Sequence, residues 1–171
     1  MFALEVRQLI KTQVVELRPN KTMRKQLDNL CYYRRYCWNL ALATWQTMYD
    51  AHTLNKTDNP SPNERRVRDE LVANKADWQF SLSARCLQLT VKDLANAWKA
   101  FFDKAQTDWS KPQFKSKKNI RQGFKTDRAK VINGKLRLDK PKNISSWYNI
   151  STYEKLKMTQ IKIASIFRER H

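Results

Sequence analysis

The chain has 171 residues, with 34 Lys and Arg against 16 Asp and Glu and a formal net charge of +18. A field of that size exceeds what solubility requires and favours a polyanion: RNA, DNA or an acidic membrane surface. With 41% hydrophobic residues, six Trp and seven Phe, there is enough apolar surface for a core, which excludes a disordered basic tail; no run approaches the roughly 20 apolar residues of a membrane span.

The first ten residues lack the basic and then apolar stretches of a secretory signal. Residues 1–18 alternate loosely, and the segment Ile10 to Leu17 reads as a strand closed by Arg18-Pro19, with Asn20 placed to cap a helix. Residues 21–108 are helical in character and contain no Gly. In the first helix Met23, Leu27, Leu30, Arg34, Cys37 or Trp38, Ala41 and Trp45 recur at spacings of three and four, and Tyr36 and Trp38 are read as core. Asp50 to Asn63, with Pro60 and Pro62, reads as a polar loop that holds His52. A short helix from Glu64 to about Asn74 is expected to bury Val67, Leu71 and Val72. The third helix has the clearest period, through Leu87, Val91, Leu94, Trp98, Phe101 and Ala105, with Ser81 or Ser83 as its cap. The first and third helices are expected to pack antiparallel, with the short one against them.

Residues 109–171 change style. Pro112, Gly123, Gly134 and Pro141 punctuate short β-prone runs. Lys130 to Leu138 is a hairpin signal, because Asn133-Gly134 suits the two positive-φ positions of a type I′ turn. Thr159 to Phe167 reads as a strand with Ile161, Ile163, Ser165 and Phe167 on one face. One strand at the start and several at the end, separated by helices, predict an α+β fold: a small β-barrel or sheet with an inserted helical bundle.

The charge is uneven. Residues 1–110 hold 17 Lys and Arg and 12 Asp and Glu, a net of +5, whereas residues 111–171 hold 17 and 4, a net of +13. The peak is residues 111–128, where Lys111, Lys115, Lys117, Lys118, Arg121, Lys125 and Arg128 meet one acid, Asp127. Cations neutralise phosphates and release counterions, and rings stack on bases. Phe114 and Phe124 lie inside the run, with Trp109 just before it; the two Phe either stack on bases or anchor the segment to the core. An ordinary charged loop would need no rings. On the third helix Arg85, Gln88 and Lys92 share a polar face, and Arg and Gln read guanine and adenine edges bidentately; the alternative is a solvated face. On the first helix Arg34, Arg35 and Asn39 are further candidates for nucleic-acid contact.

Catalysis finds no foothold. His52 and His171 have no nucleophile or metal partner at a readable spacing. Asp93, Asp103 and Asp108 lie on a helix, while Asp127, Asp139, Glu154 and Glu169 are scattered, unlike the clustered carboxylates of a two-metal nuclease. Cys31, Cys37 and Cys86 form no Cys-x-x-Cys pair, so reduced thiols and a cytoplasmic location are expected rather than a zinc knuckle.

Several segments, in order, resemble the N-terminal portion of TnpB-like, transposon-encoded RNA-guided nucleases, which are related to type V CRISPR effectors. Glu16-Leu17-Arg18-Pro19 corresponds to a strand ending in an Arg-Leu-Tyr-Pro-like motif, and Tyr32 to Asn39 to a Gly-Cys-x-Arg-x-x-x-Asn-like helix. Leu87-Gln88, Leu94, Ala97 and Phe101-Phe102 match the family's Leu-Gln…Phe-Phe helix. Lys111 to Lys118 and Gly123-Phe124-Lys125-Thr126 match its Pro-x-Phe-Lys-Ser-Lys and Ser-Phe segments, and Gly134 to Leu138 with Lys140-Pro141-Lys142 its Leu-x-Leu-Pro-Lys hairpin. The chain has Leu30-Cys31 where the family prefers Gly-Cys or Gly-Ser, and Asp139 interrupts the last motif. The family's RuvC-type nuclease half, with three metal-binding acids and a zinc ribbon, has no counterpart here, so no catalytic or metal-binding residue carries over.

The resemblance implies a wedge domain from residues 1–19 and 109–171 and a helical recognition domain from residues 20–108. It implies guide RNA and a target DNA duplex as partners, with Arg85, Gln88 and Lys92 near the target-adjacent motif and the 111–128 stretch on the RNA scaffold and DNA backbone. Cleavage would fall to a RuvC-containing partner chain, which would need Mg2+ and zinc; this chain needs no cofactor and no membrane. The alternatives are a stand-alone DNA-binding regulator, an inactive transposase remnant, or an enzyme through an unrecognised site.

Overall fold

The computed structural model describes residues 12–103, 105, 108–140 and 149–169. Ile10, Lys11, Pro141, Lys142 and His171, to which expectations attach, lie outside the described residues. Among the described residues the fold is α+β, with three α-helices and small antiparallel sheets.

The first strand, β1 (Leu17–Arg18), is shorter than its sequence suggests. Residues before it still run beside the late chain: the Tyr153 N–H donates to the Glu16 carbonyl at 3.0 Å, and further out the Gln13 amide donates to the Lys155 carbonyl at 2.9 Å and accepts from the Lys157 N–H at 2.9 Å. Asn20 then caps α1 (Lys21–Leu54), its side chain accepting from the Met23 N–H at 2.9 Å. The helix runs past Asp50 through the first residues of the expected loop, so His52 is helical; its Nδ1–H donates to the Asn59 carbonyl at 2.6 Å. That bond and the Asn55 N–H to Ala51 carbonyl bond at 3.1 Å close the last turn, which the polar composition had concealed.

Asn63 caps α2 (Glu64–Ala73), which buries Val67 and Leu71 and leaves Val72 exposed, one position off the apolar stripe. A 3-10 turn (Asp77–Ser81) leads to α3 (Ala84–Phe102), so Ala105, Asp103 and Asp108 fall beyond its helical body. Ser83 holds the N-cap position, yet its hydroxyl donates to the Asp139 carboxylate and accepts from no helix N–H. The long helices run parallel rather than antiparallel. The Cys86 thiol meets the Leu30 carbonyl, Arg34 meets Asp93 and Trp45 stacks on Trp98, so positions advance together along both helices. Two chain reversals, one into α2 and one out of it, require that direction.

Cys31, Cys37, Ala41, Leu42 and Trp45 of α1 pack against Cys86, Leu87, Val91, Leu94 and Trp98 of α3. Tyr36 is the exception to the expected core: 41% exposed, it lies 5.2 Å edge-on to Trp78, at the margin of the stripe. The three thiols are unbridged and buried, and burial pushes Cys31 up to about 11 and Cys37 to about 12, with Cys86 also raised, so none is a reactive thiolate.

The remaining strands are β2 (Arg121–Thr126), β3 (Lys130–Ile132), β4 (Lys135–Arg137), β5 (Asn149–Thr152) and β6 (Ala164–Glu169). Asn133 and Gly134 join β3 to β4 with φ of 51° and 73°, the two left-handed positions expected of a type I′ turn. One sheet has the order β1-β5-β4-β3, so the helices are inserted in sequence between β1 and the strand it pairs with. The second pairs β2 with β6, and its inward face sets Phe124 opposite Ile166, both buried. Strand β6 begins later than Thr159, and the predicted face of Ile163, Ser165 and Phe167 points outward. Both faces of this segment mix apolar and polar residues, so alternation alone did not select the inner one; pairing with Phe124 does. Gly123 permits the close approach of β6: a Cβ there would lie 2.5 Å from the Ile166 carbonyl oxygen. Among the described residues no helix is long and apolar enough to cross a membrane.

Candidate nucleic-acid interface

Two consecutive side chains of α1 hold the basic segment. Trp38 Nε1–H donates to the Gln113 carbonyl at 2.8 Å, Asn39 Nδ2–H donates to the Lys115 carbonyl at 3.1 Å, and the Lys115 N–H donates to Asn39 Oδ1 at 2.7 Å. Asn39 thus reads the segment's backbone as a neighbouring strand would, satisfying both groups of one peptide position. Beyond it the chain turns at Ser116–Asn119, where the buried Gln122 amide donates to the Lys117 carbonyl at 2.8 Å and accepts from Arg35 Nη1 at 3.0 Å.

These ties sort the candidate cations. Arg35 is spent on Gln122. Arg34 and Lys125 both reach Asp93, each at 3.0 Å, and Lys115 lies 4.0 Å over the Trp38 ring. Lys111, Lys117, Lys118, Arg121 and Arg128 are exposed, Arg121 lying 3.7 Å over the Phe167 ring. The two Phe separate as well: Phe124 is 3% exposed and anchors β2, whereas Phe114 is 56% exposed on the outer side of the held segment. Trp109 is also exposed.

Burial first, then the neighbouring Arg34 guanidinium, pushes Lys115 from 10.5 down to about 8; Asp93 opposes that shift and Lys125 adds to it. The folded-state value lies below the unfolded one. Between about pH 8 and about pH 10.5 the unfolded chain therefore holds a proton that the folded chain has lost, and stability rises with pH. Compared with Lys115→Met in urea melts, the parent should gain stability across that window. A constant gap between the two proteins would contradict this placement of Lys115.

The second candidate group sits at the start of α3. Arg85 Nε–H donates to Asp127 Oδ1 at 2.9 Å, Nη2 to the other carboxylate oxygen, and Nη1 to the Gln88 side-chain oxygen. Hydrogen bonding from Arg85 holds the Asp127 carboxyl below the usual range and raises Arg85 in turn. Arg85, Gln88, Lys92 and Asp127 line an open groove of about 420 Å³ with Glu64 of α2 and Lys162, which precedes β6.

The structure brings Arg85, Gln88 and Lys92 together, as expected of one helix face, but it leaves the guanidinium fork occupied. Sequence reasoning passed over Trp38, Asn39 and Gln122 as the supports of the basic segment. It also passed over Asp93 and Asp127 as the carboxylates that divide the cations. The Asn39 position within the resembling motif was the only local signal. Asp139, which interrupts the expected hairpin motif, accepts from Ser83 and from Thr126 Oγ1, the latter at 3.0 Å, and so ties the end of β2 to the start of α3. No family model matches the chain, and no curated protein matches it.

Proposed function

We propose that the chain is the recognition and wedge module of an RNA-guided DNA endonuclease of the TnpB-like or type V kind. It binds the guide RNA scaffold and the DNA beside the target, and leaves cleavage to a RuvC-containing partner chain that would carry Mg2+ and zinc. One observation carries the nucleic-acid reading: Lys111, Lys117, Lys118, Arg121 and Arg128 are exposed, together with the Phe114 ring, along one segment whose backbone α1 holds at Gln113 and Lys115. Exposed cations with an exposed ring suit a phosphate backbone and an unstacked base. The finer reading rests on the order of the five sequence motifs. In it residues 20–108 form the recognition domain, residues 1–19 and 109–171 the wedge, and a small barrel completes the latter. Base pairing supplies sequence, and the protein supplies shape and motif recognition.

The test is to purify the chain from its native host and sequence the nucleic acid and identify the protein that come with it. A discrete structured RNA and a RuvC-containing chain are expected. Specific binding of a promoter duplex with no RNA would replace this reading with the stand-alone regulator.

A further inference from the structure

We infer that Asp127 is a specificity-determining residue of the α3 groove, clamping Arg85 so that Arg85 positions the Gln88 amide instead of grasping a phosphate. The inference rests on the proposal that this groove faces a DNA duplex.

A guanidinium offers a planar fork suited to a carboxylate, a phosphate or the O6/N7 edge of guanine. Asp127 fills that fork through Nε and Nη2, and the remaining nitrogen, Nη1, is given to Gln88. Arg85 is therefore neutralised from within and unsuited to bidentate readout. What it does instead is fix an amide. Accepting from Arg85 orients the Gln88 oxygen toward Nη1 and so sets which way its NH2 group points. That oxygen has a second lone pair, so the amide can still accept one bond and donate another, the pair that adenine N6 and N7 require. Lys92 and Lys162, on the same groove, are placed to meet the flanking phosphates. Asp127 belongs to the segment that presents the exposed cations, so the carboxylate that governs Arg85 is carried by the phosphate-binding stretch itself. Without that carboxylate, Arg85 would become one more mobile cation and Gln88 would lose its support.

The two losses move different quantities in opposite directions, and binding of the purified chain to DNA duplexes separates them. For Asp127→Asn, an arbitrary duplex should bind more tightly, and the slope of log K against log salt should steepen by about 0.9, one added phosphate contact. Selection from a duplex pool with randomised positions should show a flattened preference. Asp127→Asn combined with Arg85→Gln should return the slope to the parent value while the preference stays flat. Asp58→Asn supplies the control, since it makes the same charge change in a loop where its carboxylate accepts from Asn55; it should leave slope and preference unchanged. A merely structural role for Asp127 would weaken binding to every duplex and leave the slope alone, and that result would overturn the inference. So would an Asp127→Asn slope and preference equal to the parent's. If the parent binds no duplex at all, the proposed function fails and this inference with it.

Discussion

Replacing Lys117, Lys118 and Arg128 together by Gln should sharply reduce the salt sensitivity of nucleic-acid binding while leaving the fold intact. All three are exposed and none supports the core. A phosphate contact with duplex DNA contributes about 0.9 to the slope of log K against log salt, so loss of three should lower it by about 2.7. Raising salt from about 50 to about 200 mM should then shrink the parent's advantage over the variant by about 40-fold, four raised to that power. Single strands, at about 0.7 per contact, should show a smaller change. The inward cations make a contrast. Arg35→Gln should disturb the turn held by Gln122 more than the slope, because its guanidinium is used within the protein. Equal slopes in parent and triple variant would show that these cations meet solvent only.

Asp93→Ala should be the most destabilising of the charge changes. Asp93 accepts from Arg34 of α1 and Lys125 of β2 and so joins a helix and a strand to α3. The Arg34 and Asp93 side chains are 17% and 22% exposed, too buried for water to compensate the guanidinium once its partner is gone. Breaking a buried pair from one side costs about 3–5 kcal/mol, and the residual exposure places this one near about 3 kcal/mol. For a chain of this size that lowers the midpoint of thermal unfolding by roughly 6–12 °C. The double change Arg34→Met with Asp93→Leu should recover much of the loss, because no unpaired charge remains. A cost below about 1 kcal/mol for Asp93→Ala would mean that the pair behaves as a surface ion pair.

What the sequence revealed and what it concealed divide along physical range. The Asn20 cap, the α3 stripe from Leu87 to Phe101 and the Asn133-Gly134 turn are local: each is decided by side chains within four residues of one another, and each is found as expected, although Ala105, the stripe's expected end, falls beyond the helix. The parallel course of α1 and α3 and the inner face of β6 are not local. They follow from chain reversals and from which strand β6 meets. The same holds at the candidate site. The accumulation of cations in residues 111–128 was plain, yet their division into exposed and inward groups depends on Asp93, Gln122 and Trp38. Asp93 sits 32 residues from Lys125, Gln122 sits 87 residues from the Arg35 it holds, and Trp38 reaches the Gln113 carbonyl from 75 residues away. Phe114 and Phe124 look alike in sequence, and only strand pairing with Ile166 makes one of them core. Arg85 and Asp127 are 42 residues apart, so the occupied fork had no local signature.

Under the proposed function, the segment held on α1 by Trp38 and Asn39 is the surface that meets nucleic acid. Ultraviolet cross-linking of the chain to the nucleic acid it carries in its native host, followed by mass spectrometry of the linked peptides, tests it directly. Cross-links should concentrate in residues 109–128, with Phe114 and Trp109 foremost. Cross-links confined to other surfaces, or none above background, would contradict it.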